Sequence, residues 1–459
     1  MSTPVLLDCD PGHDDAVAMM LAHGNPDIDL LAVTTVAGNQ TLAKVTRNAL
    51  VVATVCGMTG VPIAAGADRP LVRPPRIARS IHGETGLDGP VLPEPTVELD
   101  PRHAVDLIIE TLMERPSGTV TLVPVAPLTN IALAVRRAPE IVDRVARVVL
   151  MGGGFAKGNV TPAAEFNIIS DPEAADVVFR AGWPITQVGL DLSHQALATP
   201  DVVHRIAGLG TPAAIFVRDI LAEFGRNYLR VQGFAAPPVH DPCAVAAVID
   251  PSVVRTRPAH VDIELTGTYT SGMTVTDFLG RDGAELDVDV AVELDVEKFW
   301  DLTTGALIRI GDPAEPDVVR RARLLAIEKH AAVTDKVGRP YIEHPARVAA
   351  YARELAPGRP DVEAVAWLHD VVEDTEVTGR ELEKQFDAGV VAAVLALTRR
   401  ADEDPDAYYH RVAADPIALL VKEADLADNT DPSRSEQLPP EVRDRLAAKY
   451  AHARERLSL

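Results

Sequence analysis

The sequence predicts an α/β domain on a mostly parallel, open, Rossmann-like sheet, followed by an all-α domain. Three observations carry this expectation. Over the first two-thirds of the chain, short apolar runs alternate with amphipathic stretches, the pattern of β–α units that build a parallel sheet. Near Gly311-Asp312-Pro313-Ala314-Glu315-Pro316, two prolines and a glycine break that pattern. Beyond them β-branched runs largely vanish, and Ala, Leu, Arg and Glu recur at helical spacing almost to the end.

The elements follow in order. Val5-Leu6-Leu7 reads as a buried strand, and Asp14 to His23 as a helix stopped by Gly24. Leu30 to Val36 is a second strand and Leu42 to Cys56 a second helix. Thr119 to Val125, Val148 to Met151 and Ile185 to Leu190 supply further strands between helical segments. In the second part, Val318 to His330 and Asp361 to Val372 read as helices. Domains are expected over residues 1–312 and 316–459, since 459 residues, 47% of them hydrophobic, exceed what one core normally serves.

Composition narrows the function. A net charge of −23 excludes a general nucleic-acid surface, which needs clustered Lys and Arg. Cys9, Cys56 and Cys243 are too few and too scattered for a disulfide framework or a zinc cluster. The start MSTPVLLDCDPG lacks a basic region, and no apolar run approaches a membrane span. A soluble, cytoplasmic protein with no membrane partner is expected.

Four carboxylates crowd the turn after the first strand, in Asp8-Cys9-Asp10-Pro11-Gly12-His13-Asp14-Asp15. One or two could cap the following helix and complement its dipole. Four within eight residues repel one another, which makes sense where a hard cation binds, and calcium takes carboxylate, carbonyl and water oxygens.

This run resembles the signature of the inosine-uridine-preferring nucleoside hydrolases. The resemblance continues through Thr34 to Asn39, Ile81-His82-Gly83-Glu84, Leu128-Thr129-Asn130, Met151 to Gly154, Ala164 to Ile168 and Val239-His240-Asp241-Pro242, in order over about residues 1–312. It implies hydrolysis of the N-glycosidic bond of ribonucleosides in purine or pyrimidine salvage, by a protein that commonly forms dimers or tetramers. It further implies calcium held by Asp10, Asp15, Asp241 and the Val125 carbonyl, with Asp10 also the general base toward water. Asp14, Asn39, Glu165 and Asn167 would grip the ribose, and His240 would protonate the leaving base. His82 is a second candidate acid, and Tyr228 falls where a base-stacking aromatic is common. Val125-Ala126-Pro127 departs from the family's glycine-containing turn.

In the second part, His369-Asp370-Val371-Val372-Glu373-Asp374 sits in a predicted helix, where residues four apart are neighbours. With His330, Gly338 to Pro345 and Val421 to Asn429, it resembles the metal-dependent HD phosphohydrolases, in the branch that hydrolyses guanosine tetraphosphate. That implies a manganese ion on His344, His369, Asp370 and Asp425, water oriented by Glu373 and Asp374, and nucleotide contacts from Lys336 and Asn429. Asp335 stands where that branch carries an Arg near the guanine, and the segment between Asp374 and Asp425 is short for it. Two enzymes in one chain is therefore the leading expectation, and a hydrolase regulated by a nucleotide-sensing HD domain the alternative. A non-catalytic nucleoside-binding module is the third, disfavoured because mere binding needs neither a base nor an acid.

Overall fold

The computed structural model describes residues 2–335, 338–432 and 440–458. Contacts between Cα atoms divide the chain into two compact units, one of residues 1–207 with 212–310, the other of residues 311–459 with the short segment 208–211.

The first unit is built on a nine-stranded sheet of β1 (Thr3–Cys9), β2 (Ile28–Thr35), β3 (Ile63–Ala65), β4 (Val120–Pro124), β5 (Val145–Met151), β6 (Ile185–Val188), β7 (Val254–Ile263), β8 (Thr274–Asp277) and β9 (Val288–Leu294). Their spatial order is β3-β2-β1-β4-β5-β6-β9-β7-β8. From β3 to β9 neighbours are parallel, with β1 between β2 and β4; β7 runs antiparallel to both β9 and β8. The parallel strands β1 and β4 are apolar without alternation because helices cover both faces of the sheet. The chain winds from β1 outward to β3, then returns to place β4 on the other flank of β1. The point beyond the carboxyl ends of β1 and β4 is thus a topological switch point, where open α/β sheets bind ligands.

Most predicted elements lie within two residues of the observed ones. The helix read as Leu42 to Cys56 has those bounds, ended by Gly57 at φ +61°, a left-handed cap that favours glycine. The strand read as Ile185 to Leu190 is shorter: it ends at Val188, and Leu190–Ser193 turns into a helix.

The second unit is helical. Pro360–Leu368 is its central helix, packed by Asp317–Lys329, Glu343–Leu355, Ala388–Leu397 and Pro416–Asn429. Trp367 on that helix is buried and is among the largest fully enclosed side chains. The single helix predicted over Asp361 to Val372 is instead two, Pro360–Leu368 and Val371–Asp374. The break falls at His369-Asp370, where the His369 ring bonds back to the Ala366 carbonyl at 2.7 Å. Among the described residues no helix is long and apolar enough to cross a membrane.

Candidate functional site

The first site forms where β1 runs into the helix His13–Gly24. Asp10, Asp14, Asp15 and Asp241 are all buried, and oxygens of Asp14, Asp15 and Asp241 lie within 4.8 Å of one another. Asp241 opens its own helix, Asp241–Ile249. Asp15 is held by the backbone N–H groups of Asp10 (2.9 Å) and Gly12 (3.0 Å) and by Asn39 Nδ2 (3.0 Å). Asp10 Oδ2 accepts the Asn39 N–H at 2.6 Å. Gly38 allows that approach, since a Cβ there would overlap Asp10 Oδ2.

The remaining oxygens, Asp10 Oδ1 and Asp14 Oδ1, are buried without a hydrogen-bond partner. Buried orphan carboxylate oxygens are costly. Burial first, and neighbouring carboxylates next, push Asp14 up to about 8 and Asp10 and Asp241 well above the ordinary carboxylate range. No cation among the described residues offsets this. An all-oxygen set of carboxylates closed around two orphan atoms fits a divalent hard cation. The Val125 carbonyl follows β4 and belongs to the wall of the same pocket; it already accepts from Asn167 Nδ2 at 3.0 Å.

Above the carboxylates lies a cavity of about 270 Å³, lined among others by Asp14, Asn39, Glu165, Asn167, Tyr228 and His240. Glu165 caps the helix Phe166–Ser170, accepting from Asn167 N (2.8 Å), Ile168 N (3.1 Å) and Gly153 N (2.8 Å); burial raises it to about 7. His240 stands in a hydrogen-bonded chain, Nδ1 2.8 Å from Ser193 Oγ and Nε2 2.7 Å from the Tyr228 hydroxyl. Burial lowers His240 to about 3, so the ring is neutral at physiological pH. His82 lines the pocket too, with Nδ1 3.2 Å from His13 Nδ1, and burial holds it well below its usual range.

The second site lies at the break after the central helix of the helical unit. His344 Nε2 is 3.2 Å from His369 Nε2, 3.4 Å from Asp425 Oδ1 and 3.6 Å from Asp370 Oδ2, and His369 Nε2 is 2.9 Å from Asp370 Oδ2. Both Nδ1 atoms are occupied by acceptors, Ala366 O for His369 and Asp428 Oδ2 for His344 (2.6 Å). Burial is outweighed by the carboxylates around them, which hold both imidazoles above their usual range; with an ion bound, each ring would keep its proton on Nδ1 and turn a bare Nε2 toward that ion. Two imidazole lone pairs and two carboxylates converging on one point fit a transition-metal ion.

Residues 5–301 match the family profile described as inosine-uridine preferring nucleoside hydrolase. The chain belongs to that family. It is a hydrolase acting on N-glycosyl bonds. It is 57% identical over 314 residues to the inosine-uridine preferring nucleoside hydrolase of Crithidia fasciculata, covering 68% of this chain and all of that protein. It is 45% identical to the pyrimidine-specific ribonucleoside hydrolase RihA of Enterobacter sp. (strain 638), covering 66% of this chain and 96% of that one. Among solved structures, a purine-preferring ribonucleoside hydrolase from Gardnerella vaginalis aligns with a TM-score of 0.63 at 32% identity, over 67% of this chain and 98% of that one. Residues 322–416 of the nucleoside hydrolase match an HD domain.

The structure lines one cavity of the hydrolase with Asp14, Asn39, His82, Val125, Glu165, Asn167, Tyr228, His240 and Asp241, whereas Asp10 and Asp15 do not line it and are joined to it through hydrogen bonds from Asn39. Asp14, read from sequence as a ribose contact, stands within the carboxylate trio, while Asp10 approaches through Asn39. In the HD unit, His344, His369, Asp370 and Asp425 converge, but Glu373 is exposed and accepts the Arg399 N–H at 2.9 Å. Asp374 is exposed, and Asn429 Nδ2 donates to Asp425 Oδ1 at 2.5 Å. Lys336 lies outside the described residues. Ser193, His13, Tyr341 and Asp428 touch the two sites without having been assigned there; His13, Tyr341 and Asp428, set inside the motifs, carried a sequence signal, and Ser193 did not.

Proposed function

We propose that the first unit, residues 1–312, hydrolyses ribonucleosides to free base and ribose with calcium as its ion. The two buried orphan oxygens of Asp10 and Asp14, with Asp14 and Asp241 lining a cavity of about 270 Å³, support this most directly. Asp10, Asp15, Asp241 and the Val125 carbonyl would hold calcium, which would supply positive charge toward the ribose hydroxyls and lower the pKa of water. Asp10 takes the proton from the attacking water at Oδ1, because its Oδ2 is fixed by the Asn39 N–H. Asp14, Asn39, Glu165 and Asn167 hold the ribose, and their carboxylates favour the oxocarbenium-like charge that grows as the C–N bond breaks. The base leaves with a proton relayed along the Ser193–His240–Tyr228 chain, which regains one from solvent as Asp10 releases the proton it took from water, so the turnover balances. His82, neutral on the pocket wall, bonds the polar edge of the base. Free base and ribose suit salvage in the cytoplasm, carried out by a homo-oligomer. The test is release of ribose from inosine and uridine, lost on chelation and restored by calcium but not by magnesium. Full activity after exhaustive chelation overturns the calcium assignment.

The second unit, residues 316–459, is proposed to cleave a nucleotide pyrophosphate such as guanosine tetraphosphate. His344, His369, Asp370 and Asp425 would hold manganese, which contributes Lewis acidity toward a phosphoryl oxygen. Asp374 and Glu373 orient the water, and Lys336 and Asn429 meet the nucleotide. Manganese-dependent pyrophosphate release, absent in His369→Ala, tests it. The exposed Glu373 favours a second reading, in which this unit only senses a nucleotide. No phosphate release, together with a nucleotide effect on ribose release, would establish that reading instead.

A further inference from the structure

The helix Pro416–Asn429 does more in the HD unit than carry one ligand. Asp425 and Asp428 stand three residues apart, on one face of it. Asp428 is fully buried, and its Oδ2 lies 2.6 Å from His344 Nδ1, on the side of the ring away from the cluster. Its other oxygen, Oδ1, accepts Arg347 Nε at 2.7 Å. Arg347 in turn lies 3.6 Å from Glu343, one turn back on the helix Glu343–Leu355 that also bears His344. A buried carboxylate is stable only when paired and hydrogen-bonded, and Arg347 with His344 provides both.

The consequence is directional. An imidazole can carry its proton on either nitrogen, and only the tautomer with a bare Nε2 can face His369 Nε2 at 3.2 Å around a shared ion. A carboxylate at Nδ1 selects that tautomer, fixes the ring plane and makes Nε2 a stronger donor to a metal. His369 obtains the same tautomer from a backbone carbonyl, which carries no charge, so the two imidazoles are held by unequal partners.

We propose that Asp428 is the positioning residue of this centre: by accepting His344 Nδ1–H, with Arg347 holding its second oxygen, it turns the His344 Nε2 lone pair onto a divalent transition-metal ion. The inference rests on the reading of His344, His369, Asp370 and Asp425 as a metal centre.

The experiment is manganese binding by the full chain, followed by the electron paramagnetic resonance signal of free manganese, with calcium in excess to fill the hydrolase site. Asp428→Ala is expected to weaken manganese binding 10- to 100-fold, the range typical when the outer partner of a metal-bound histidine is lost. Asp428→Asn keeps an acceptor oxygen without its charge and is expected to fall between Asp428→Ala and the wild type. Urea unfolding of the helical unit, followed by far-UV circular dichroism, is expected to keep its cooperative transition, which shows that this unit is folded, and ribose release by the same samples is expected to stay at the wild-type value. Should Asp428→Ala fail to fold, Asp428→Asn carries the test alone. Manganese affinity within threefold of wild type in both variants overturns the proposal while leaving the metal centre standing. Equal, weak binding by wild type, His344→Ala and His369→Ala overturns the metal centre and the proposal with it.

Discussion

Stripping divalent cations from the hydrolase unit is expected to make its stability fall as pH rises, and calcium is expected to remove about half of that fall. Asp14 carries the magnitude. Burial, then the charge of Asp15, move its carboxyl from 3.8 to about 8. At about 1.4 kcal/mol per pKa unit, ionising it in the closed site opposes folding by up to about 5 kcal/mol. The folded state holds the proton more tightly than the unfolded chain, so this stabilisation is complete below the unfolded value near 4 and lost as pH climbs through 8. Asp10, Asp15, Asp241 and Glu165 shift in the same direction and add to the slope. For a unit of this size, roughly 2 °C of Tm accompanies each kcal/mol, so the chelated protein should melt on the order of 5–10 °C lower at pH 8 than at pH 5. Calcium at a hundred times its dissociation constant returns about 2.7 kcal/mol, or roughly 5 °C, and does so mainly at the higher pH. The assay is thermal melting with EGTA or calcium across pH 5–8, with the hydrolase transition assigned by the ribose-releasing activity that survives heating. A chelated Tm that is flat or rises over this range would refute the reasoning, as would an equal calcium shift at both ends.

Three further outcomes follow from the geometry. Tyr228→Phe removes the hydroxyl that ends the His240 chain and should lower kcat for poor leaving bases by about 10²-fold or more, with KM little changed, in steady-state ribose release. Gly38→Ala forces a Cβ onto Asp10 Oδ2 and the Pro127 ring; a loss of kcat near 10²-fold with retained far-UV circular dichroism is expected, and unaltered turnover would argue against Asp10 as the base. Trp367→Ala empties the centre of the helical unit and should cost that unit about 3–5 kcal/mol in urea unfolding, leaving ribose release intact.

Much of the fold and the first site was legible because the parallel strands are buried on both faces and appear as unbroken apolar runs, with the carboxylates directly after β1. β7 was not legible: half of its ten residues are exposed, so no apolar run marks it. The break at His369-Asp370 escaped because both residues keep a right-handed helical backbone, and the ring's bond to Ala366 O that accompanies the break leaves no mark in the sequence. Ser193 reaches His240 from 47 residues away, a contact no local pattern encodes. The fixing of Asp10 Oδ2 likewise depends on Asn39 arriving from after β2.

The most direct measurement is the rate of ribose release from a nucleoside panel including inosine and uridine, by the wild type and by Asp10→Ala at equal calcium occupancy. Stoichiometric base and ribose from the wild type, with Asp10→Ala slower by 10³-fold or more, is the expected result. Release by Asp10→Ala at the wild-type rate, or no ribose from any nucleoside with the wild type, would contradict it.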